Sequence, residues 1–126
     1  MATDVAFSPD DRMLAVATTA IDAQTNEPTS TRVMMLDART GAERMALWIP
    51  GPYLERVTFS PNGRHVACVG NDYDRVERHH HSGLLRIWDA ETGRMTKTIT
   101  RTGQPLSSPV FLDDKTMAFT TRTWNA

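Results

Sequence analysis

Apolar residues in this chain fall in short runs, each bounded by Pro, Gly, Asn or Asp. Runs of that length between turn-forming residues predict β-strands rather than helices. The first strand is expected over 3–8 and the second over 13–18, with the turn Pro9-Asp10-Asp11-Arg12 between them. A third over 32–36 leads through Asp37-Ala38-Arg39-Thr40-Gly41 to a fourth over 43–48. Ile49-Pro50-Gly51-Pro52 then carries the backbone to the next unit, its prolines lacking a donor for a ladder. The order begins again with strands over 57–60, 64–69, 84–88 and 94–100, and once more over 108–112 and 116–121.

The restart keeps a constant interval. Phe7-Ser8-Pro9 returns as Phe59-Ser60-Pro61, Leu36-Asp37-Ala38 as Trp88-Asp89-Ala90, and Thr40-Gly41 as Thr92-Gly93, each 52 residues on (7 to 59, 37 to 89, 41 to 93). Phe111 stands another 52 beyond Phe59, with Asp113-Asp114-Lys115 where Asn62-Gly63-Arg64 stood. A fixed period of this size signals a solenoid, propeller or array. Equivalent residues, Phe7 and Phe59 above all, are then expected in equivalent surroundings.

At these residues the sequence resembles a known family. Residues 57–64, reading Val-Thr-Phe-Ser-Pro-Asn-Gly-Arg, followed by Leu85-Arg86-Ile87-Trp88-Asp89 and Thr92-Gly93, look like a blade of a WD-repeat β-propeller. The first copy is degenerate, with Leu36 in the tryptophan position, and the third has lost the Ser-Pro pair. TolB-like propellers have a similar Phe-Ser-Pro-Asp-Gly signature, and Trp88-Asp89 favours the WD reading. The resemblance implies an all-β fold of antiparallel four-stranded blades acting as a non-catalytic protein–protein interaction scaffold. The alternative it leaves open is a propeller that positions substrate for a catalytic domain outside this chain. The Gly-His pair that usually precedes the first strand is missing, its region reading Gly51-Pro52-Tyr53-Leu54, so the family's histidine-centred hydrogen-bond network is not expected.

Length limits how much of a propeller is present. Rings of roughly 4–8 four-stranded blades are usual, and 126 residues hold about two and a half units of 52. Blade one is expected over about 1–50, blade two over about 53–101 and part of blade three over about 107–126. Such an incomplete propeller needs further blades, either from the rest of a longer chain or from self-association, because each blade buries its faces on its neighbours.

Two segments lengthen the period beyond the roughly 40–45 residues usual for this repeat class. Residues 20–31, with Asp22, Gln24, Asn26, Pro28 and Ser30, and residues 71–83 both read as exposed loops after a second strand, on the same rim. The second holds Asn71, Asp72, Tyr73, Asp74, His79, His80 and His81 and is the candidate partner-binding loop. A His tract can bind a transition metal, but adjacent histidines on a loop diverge and no second ligand motif accompanies them, so no metal and no cofactor is assigned.

The rest of the composition mostly excludes. A net charge of −1 leaves no electrostatic footprint for nucleic acid. Its 40% hydrophobic residues are too scattered for a membrane span. Residues 1–4 lack the basic start and apolar stretch of a secretory signal, and a single Cys permits a reducing compartment, so a cytoplasmic location is expected. Cys68 sits among Val66, Ala67 and Val69 and reads as a small buried hydrophobe. Ser8 and Ser60 recur before proline, and Asp37 and Asp89 before Thr-Gly, which favours turn capping over nucleophilic or acid–base work. His65 reads as a packed or surface residue and Trp88 as packing between blades. Without a phosphate loop, zinc motif or nucleophile elbow, no enzyme activity is expected.

Overall fold

The computed structural model describes residues 2–26, 28–49, 53–74, 79–102, 104 and 106–121. Three antiparallel sheets follow one another along the chain. The first contains β1 (Ala2–Phe7), β2 (Met13–Ile21), β3 (Pro28–Asp37) and β4 (Glu43–Ile49), side by side in chain order. The second repeats it with β5 (Tyr53–Phe59), β6 (His65–Asp74), β7 (His79–Asp89) and β8 (Met95–Thr102). A pair, β9 (Leu106–Phe111) and β10 (Met117–Thr121), forms the third. No helix occurs among the described residues.

The register repeats as the sequence does. Phe7 pairs with Leu14, Phe59 with Val66 and Phe111 with Met117 at the same rung of each sheet. Strand side chains alternate between faces, so Ala15 and Ala17 of β2, Val33 and Met35 of β3, and Leu47 and Ile49 of β4 bury on one face of the first sheet. Against them lie Val57, Phe59, Val66, Cys68 and Trp88 of the second sheet, in one continuous core. The innermost strand β5 crosses β1, β2 and β3. A smaller core joins the second sheet to the third, with Val69, Leu85 and Leu106 buried beside Ile87, Ile99, Met117 and Phe119. Burying side chains of this size stabilises by about 1.5–3 kcal/mol each.

Two turn designs recur with nearly the same distances. In the first, Ser8 Oγ donates to Asp10 Oδ1 at 2.6 Å and accepts from the Met13 N–H at 3.0 Å. Ser60 does the same with Asn62 (2.8 Å) and His65 (3.0 Å). Both serines are buried, and each hydroxyl satisfies the amide that starts the next strand. Gly63 has φ 74° in this turn, and Asp11 at the equivalent place holds φ 61°, a region that Asp tolerates better than most residues.

The chain departs from expectation at the two long segments. Half of residues 20–31 and all of the described part of 71–83 are strand: β2 and β3 stay paired from Met13–Asp37 to Ile21–Pro28, and β6 and β7 as far as Asp74–His79. Thr, Ser, Asn and His read as loop from composition, but a hairpin that keeps zipping gives every second backbone group a partner whatever its side chain. Among the described residues, 22–26 form the open tip of the first hairpin; Asp22 Oδ1 accepts there from Gln24 (2.8 Å) and Thr25 (2.9 Å).

Phe7 and Phe59 also differ. They share register and face, yet Phe7 is 61% exposed and Phe59 8%. The first sheet covers Phe59, and no sheet covers Phe7 among the described residues.

Candidate functional site

The second turn design joins the third and fourth strands of each complete sheet. Asp37 Oδ1 accepts from the N–H groups of Arg39 (2.9 Å) and Thr40 (3.0 Å), and its backbone N–H donates to the Ala42 carbonyl at 2.8 Å. Asp89 Oδ1 accepts from Glu91 and Thr92, both at 2.9 Å, and its N–H donates to the Arg94 carbonyl at 2.8 Å. Gly41 (φ 72°) and Gly93 (φ 74°) close these turns in the left-handed region. In each complete sheet this turn is also tied to the one before the second strand, since Ala38 N–H donates to the Arg12 carbonyl (2.9 Å) and Ala90 N–H to that of Arg64 (2.8 Å). Asp37 and Asp89 therefore each serve a turn of their own sheet, their Oδ1 atoms held by amides of that turn.

Those amides change the titration of the acids. The Thr40 N–H, then that of Arg39, holds the Asp37 carboxyl below its ordinary 3.8; for Asp89 the Thr92 N–H lowers it most, burial pushes back upward, and the Glu91 N–H adds to the lowering. The Ser8 hydroxyl lowers Asp10, and the Lys115 N–H lowers Asp113. A carboxyl whose folded value lies below its unfolded value stabilises the fold fully above the unfolded value, and that contribution disappears as pH falls through the folded one. Melting temperature is therefore expected to hold steady on the neutral side and to fall below pH 3.8. The double variant Asp37→Asn/Asp89→Asn should show a shallower acid decline in a pH series of thermal melts, and an unchanged slope would refute the assignment.

Between the turns of the first and second sheets lies an open groove of about 740 Å³, lined by Arg12, Asp37, Arg44, Arg64, Asp89 and Glu91 among others. Arg44 pairs with Asp37 Oδ2 at 3.2 Å. Its lining mixes acidic and basic residues in near-equal number, so it presents no concentrated field to an anion or a cation. The sequence contained one signal for it: Arg12 and Arg64 stand 52 apart, each just before a second strand.

The opposite rim carries the two extended hairpins. On the β6–β7 hairpin, Asn71 pairs with Gly83, Asp72 with Ser82, Tyr73 with His80 and Asp74 with His79, and His81 is the extra residue where the register shifts. Residues 75–78 and the side chains of 71–82 lie outside what is described. Elsewhere, among the described residues, no three His, Cys, Asp or Glu groups converge on a metal position.

Other singled-out residues are structural in position. Ser8 and Ser60 hold turns, and the backbone beside Pro9 and Pro61 forms those turns. Cys68 is buried, and burial pushes its thiol up to about 12, the nearby Arg86 only partly offsetting this. A thiol held protonated near neutral pH is a poor nucleophile. Trp88 is buried between the first two sheets, and Phe111 is half-buried at the third.

Sequence reasoning missed the bonds between sheets. Asp4 Oδ2 accepts from the Val57 N–H at 2.9 Å, and Arg56 stands 4.0 Å from the same carboxylate. Asp114 Oδ1 accepts from the Asn62 N–H at 2.8 Å. One side chain reaches an amide on the edge strand of the neighbouring sheet and the other an amide in its first turn, relations that spacing alone does not encode.

No protein-family model matches the chain, and no curated protein does. Solved structures match it at the level of fold. The WD40 repeats of RRP9 superpose with a TM-score of 0.63 at 18% identity, covering 89% of this chain and 29% of that one. U3-55K gives 0.62 at 18%, covering 89% and 30%. Hydrazine synthase of Kuenenia stuttgartiensis gives 0.63 at 14%, covering 98% and 44%. The chain thus spans less than half the length of each of these proteins. Antiparallel four-stranded sheets in sequential order, stacked face to face at a constant repeat and superposing on WD40 propellers, give this chain the fold of WD-repeat-like β-propeller blades.

Proposed function

We propose that the chain is a non-catalytic protein-interaction scaffold, with successive blades over about 1–50, 53–101 and 107–126 of an incomplete propeller and a binding edge formed by its two long hairpins. The observation that carries this reading is the placement of both extensions at the same point of consecutive sheets, after the second strand. Sheets packed on rigid cores hold such projections in fixed relation, which lowers the ordering cost of binding a partner. The likeness to WD40 propellers supports the scaffold class. The partner in this reading is a protein rather than nucleic acid or a membrane, since the overall charge is close to neutral.

The test removes the hairpins at rungs of their ladders. Joining Ala20 to Ser30 and Asn71 to Gly83, each a bonded pair, through two-residue turns should leave the β spectrum unchanged. Recovery of the co-purifying protein, identified by mass spectrometry, is expected to fall at least about tenfold, a loss of about 1.4 kcal/mol or more. Undiminished recovery would exclude the hairpin edge.

A second reading has one observation in its favour: 98% of the chain superposes on part of a hydrazine synthase structure. Here the blades position substrate for a catalytic domain on another part of a larger protein or on another subunit. A catalytic domain in the same reading frame would support this reading, and a full-length product composed of blades alone would exclude it.

A further inference from the structure

Asn62 and Gly63 form the one Asn-Gly pair in the sequence; Asn26, Asn71 and Asn125 precede Glu, Asp and Ala. In such a pair the next amide nitrogen can attack the asparagine side chain, because glycine has no Cβ to obstruct the approach. The Gly63 nitrogen bonds to Asn62 Cγ and gives up its proton, the Cγ–Nδ2 bond breaks, and ammonia leaves behind a succinimide ring. Water then opens either carbonyl of that ring, producing aspartate or isoaspartate at 62. Water is the only co-reactant, and Asn62 is exposed to it.

The turn after β5 holds both reacting groups. Gly63 N–H donates to the Ser60 carbonyl at 2.9 Å, so the nucleophile is committed to a bond within the turn. Asn62 Oδ1 accepts from Ser60 Oγ (2.8 Å) and from the Arg64 N–H (2.9 Å), which fixes the carboxamide. Those two donors would favour negative charge on Oδ1 during addition, as an oxyanion hole does, but only for a nitrogen that can reach Cγ. Ring closure requires the Gly63 amide to rotate out of its bond to Ser60. The third sheet adds to the hold, since Asp114 Oδ1 accepts from the Asn62 N–H at 2.8 Å and anchors the preceding peptide. Access to the chemistry is therefore set by opening of the turn.

We propose that Asn62 is a modification site, converted through the succinimide to aspartate or isoaspartate when this turn opens and protected while it is closed. The first copy shows which product the turn accepts. Asp10 stands 52 residues earlier and accepts the same pair of bonds, from Ser8 Oγ at 2.6 Å and from the Arg12 N–H at 3.0 Å. Aspartate at 62 keeps the turn and adds a negative charge beside Asp114. Isoaspartate routes the main chain through Cβ and Cγ, one carbon longer, so the bonds between Ser60 and His65 no longer span the turn. The conversion leaves a permanent record of opening where the second sheet meets the third, and it is independent of what the hairpins bind.

Peptide mapping by mass spectrometry follows acid formation at 62 during incubation at neutral pH, in the folded chain and in the chain unfolded by guanidinium. The folded chain should convert at least about tenfold more slowly, an opening cost of about 1.4 kcal/mol or more. Asp114→Ala should raise the folded rate severalfold and leave the unfolded rate unchanged, whereas Asp114→Asn, which keeps an acceptor oxygen, should stay near the parent. Asn62→Asp should retain the parental β spectrum. Equal rates in the folded and unfolded parent overturn the protection, a comparison that needs no variant to fold. Absence of acid at 62 in guanidinium overturns the site itself, and a folded rate unchanged by Asp114→Ala overturns the part assigned to the third sheet.

Discussion

Replacing Gly83 with alanine is expected to lift β9 and β10 away from the second sheet. A Cβ at this position would stand 2.5 Å from Leu106 Cγ, 2.6 Å from the Leu106 amide nitrogen and 2.7 Å from the Gln104 carbonyl oxygen. Two of those three atoms are backbone, so a rotamer change cannot make room. Inserting a methyl into a filled core costs about 1–3 kcal/mol, and more where the backbone itself must move; a loss of about 3 kcal/mol is expected for this variant. It should be local. Hydrogen exchange should accelerate at the amides of β9 and β10 while those of β2, β3 and β6 keep their protection. Leu106→Ala alone opens a cavity at a fully buried side chain and is expected to cost about 2–5 kcal/mol. Combining the two should recover only part of the Gly83→Ala loss, since the clashes with backbone atoms remain. A Gly83→Ala protein as stable as the parent would mean that the third sheet is not seated here.

That contact shows where the sequence stops informing. Gly83 lies in a polar stretch that composition assigns to a loop, and nothing adjacent predicts an approach by Leu106. Strand identity, turn chemistry and the 52-residue repeat were legible because each depends on neighbours within a few positions: Ser8 with Asp10 and Met13, Asp37 with Arg39, Thr40 and Gly41. The extent of the long hairpins was not. Pairing Ala20 with Ser30 or Asp72 with Ser82 satisfies backbone groups and leaves little apolar pattern behind. The cross-sheet bonds of Asp4 and Asp114 were hidden for the same reason, since their partners are amides 53 and 52 residues away. The candidate partner-binding residues were expected in a loop, and the ladder pairing of 71–74 with 79–83 came only from the structure.

The largest contrast is expected between two phenylalanines that the repeat makes equivalent. Phe59→Ala should destabilise the chain by about 3–5 kcal/mol, the usual cost of removing a buried aromatic side chain, because Phe59 fills the core with Val57, Val66, Trp88, Ala15 and Ala17. Phe7→Ala removes the same atoms from the same rung of the first sheet, yet in dilute solution it should cost no more than about 0.5 kcal/mol, as for other exposed positions. Denaturant titrations of the two variants measure the difference directly. Equal costs in the dilute limit would mean that the two sheets are covered alike, which their 61% and 8% exposures contradict.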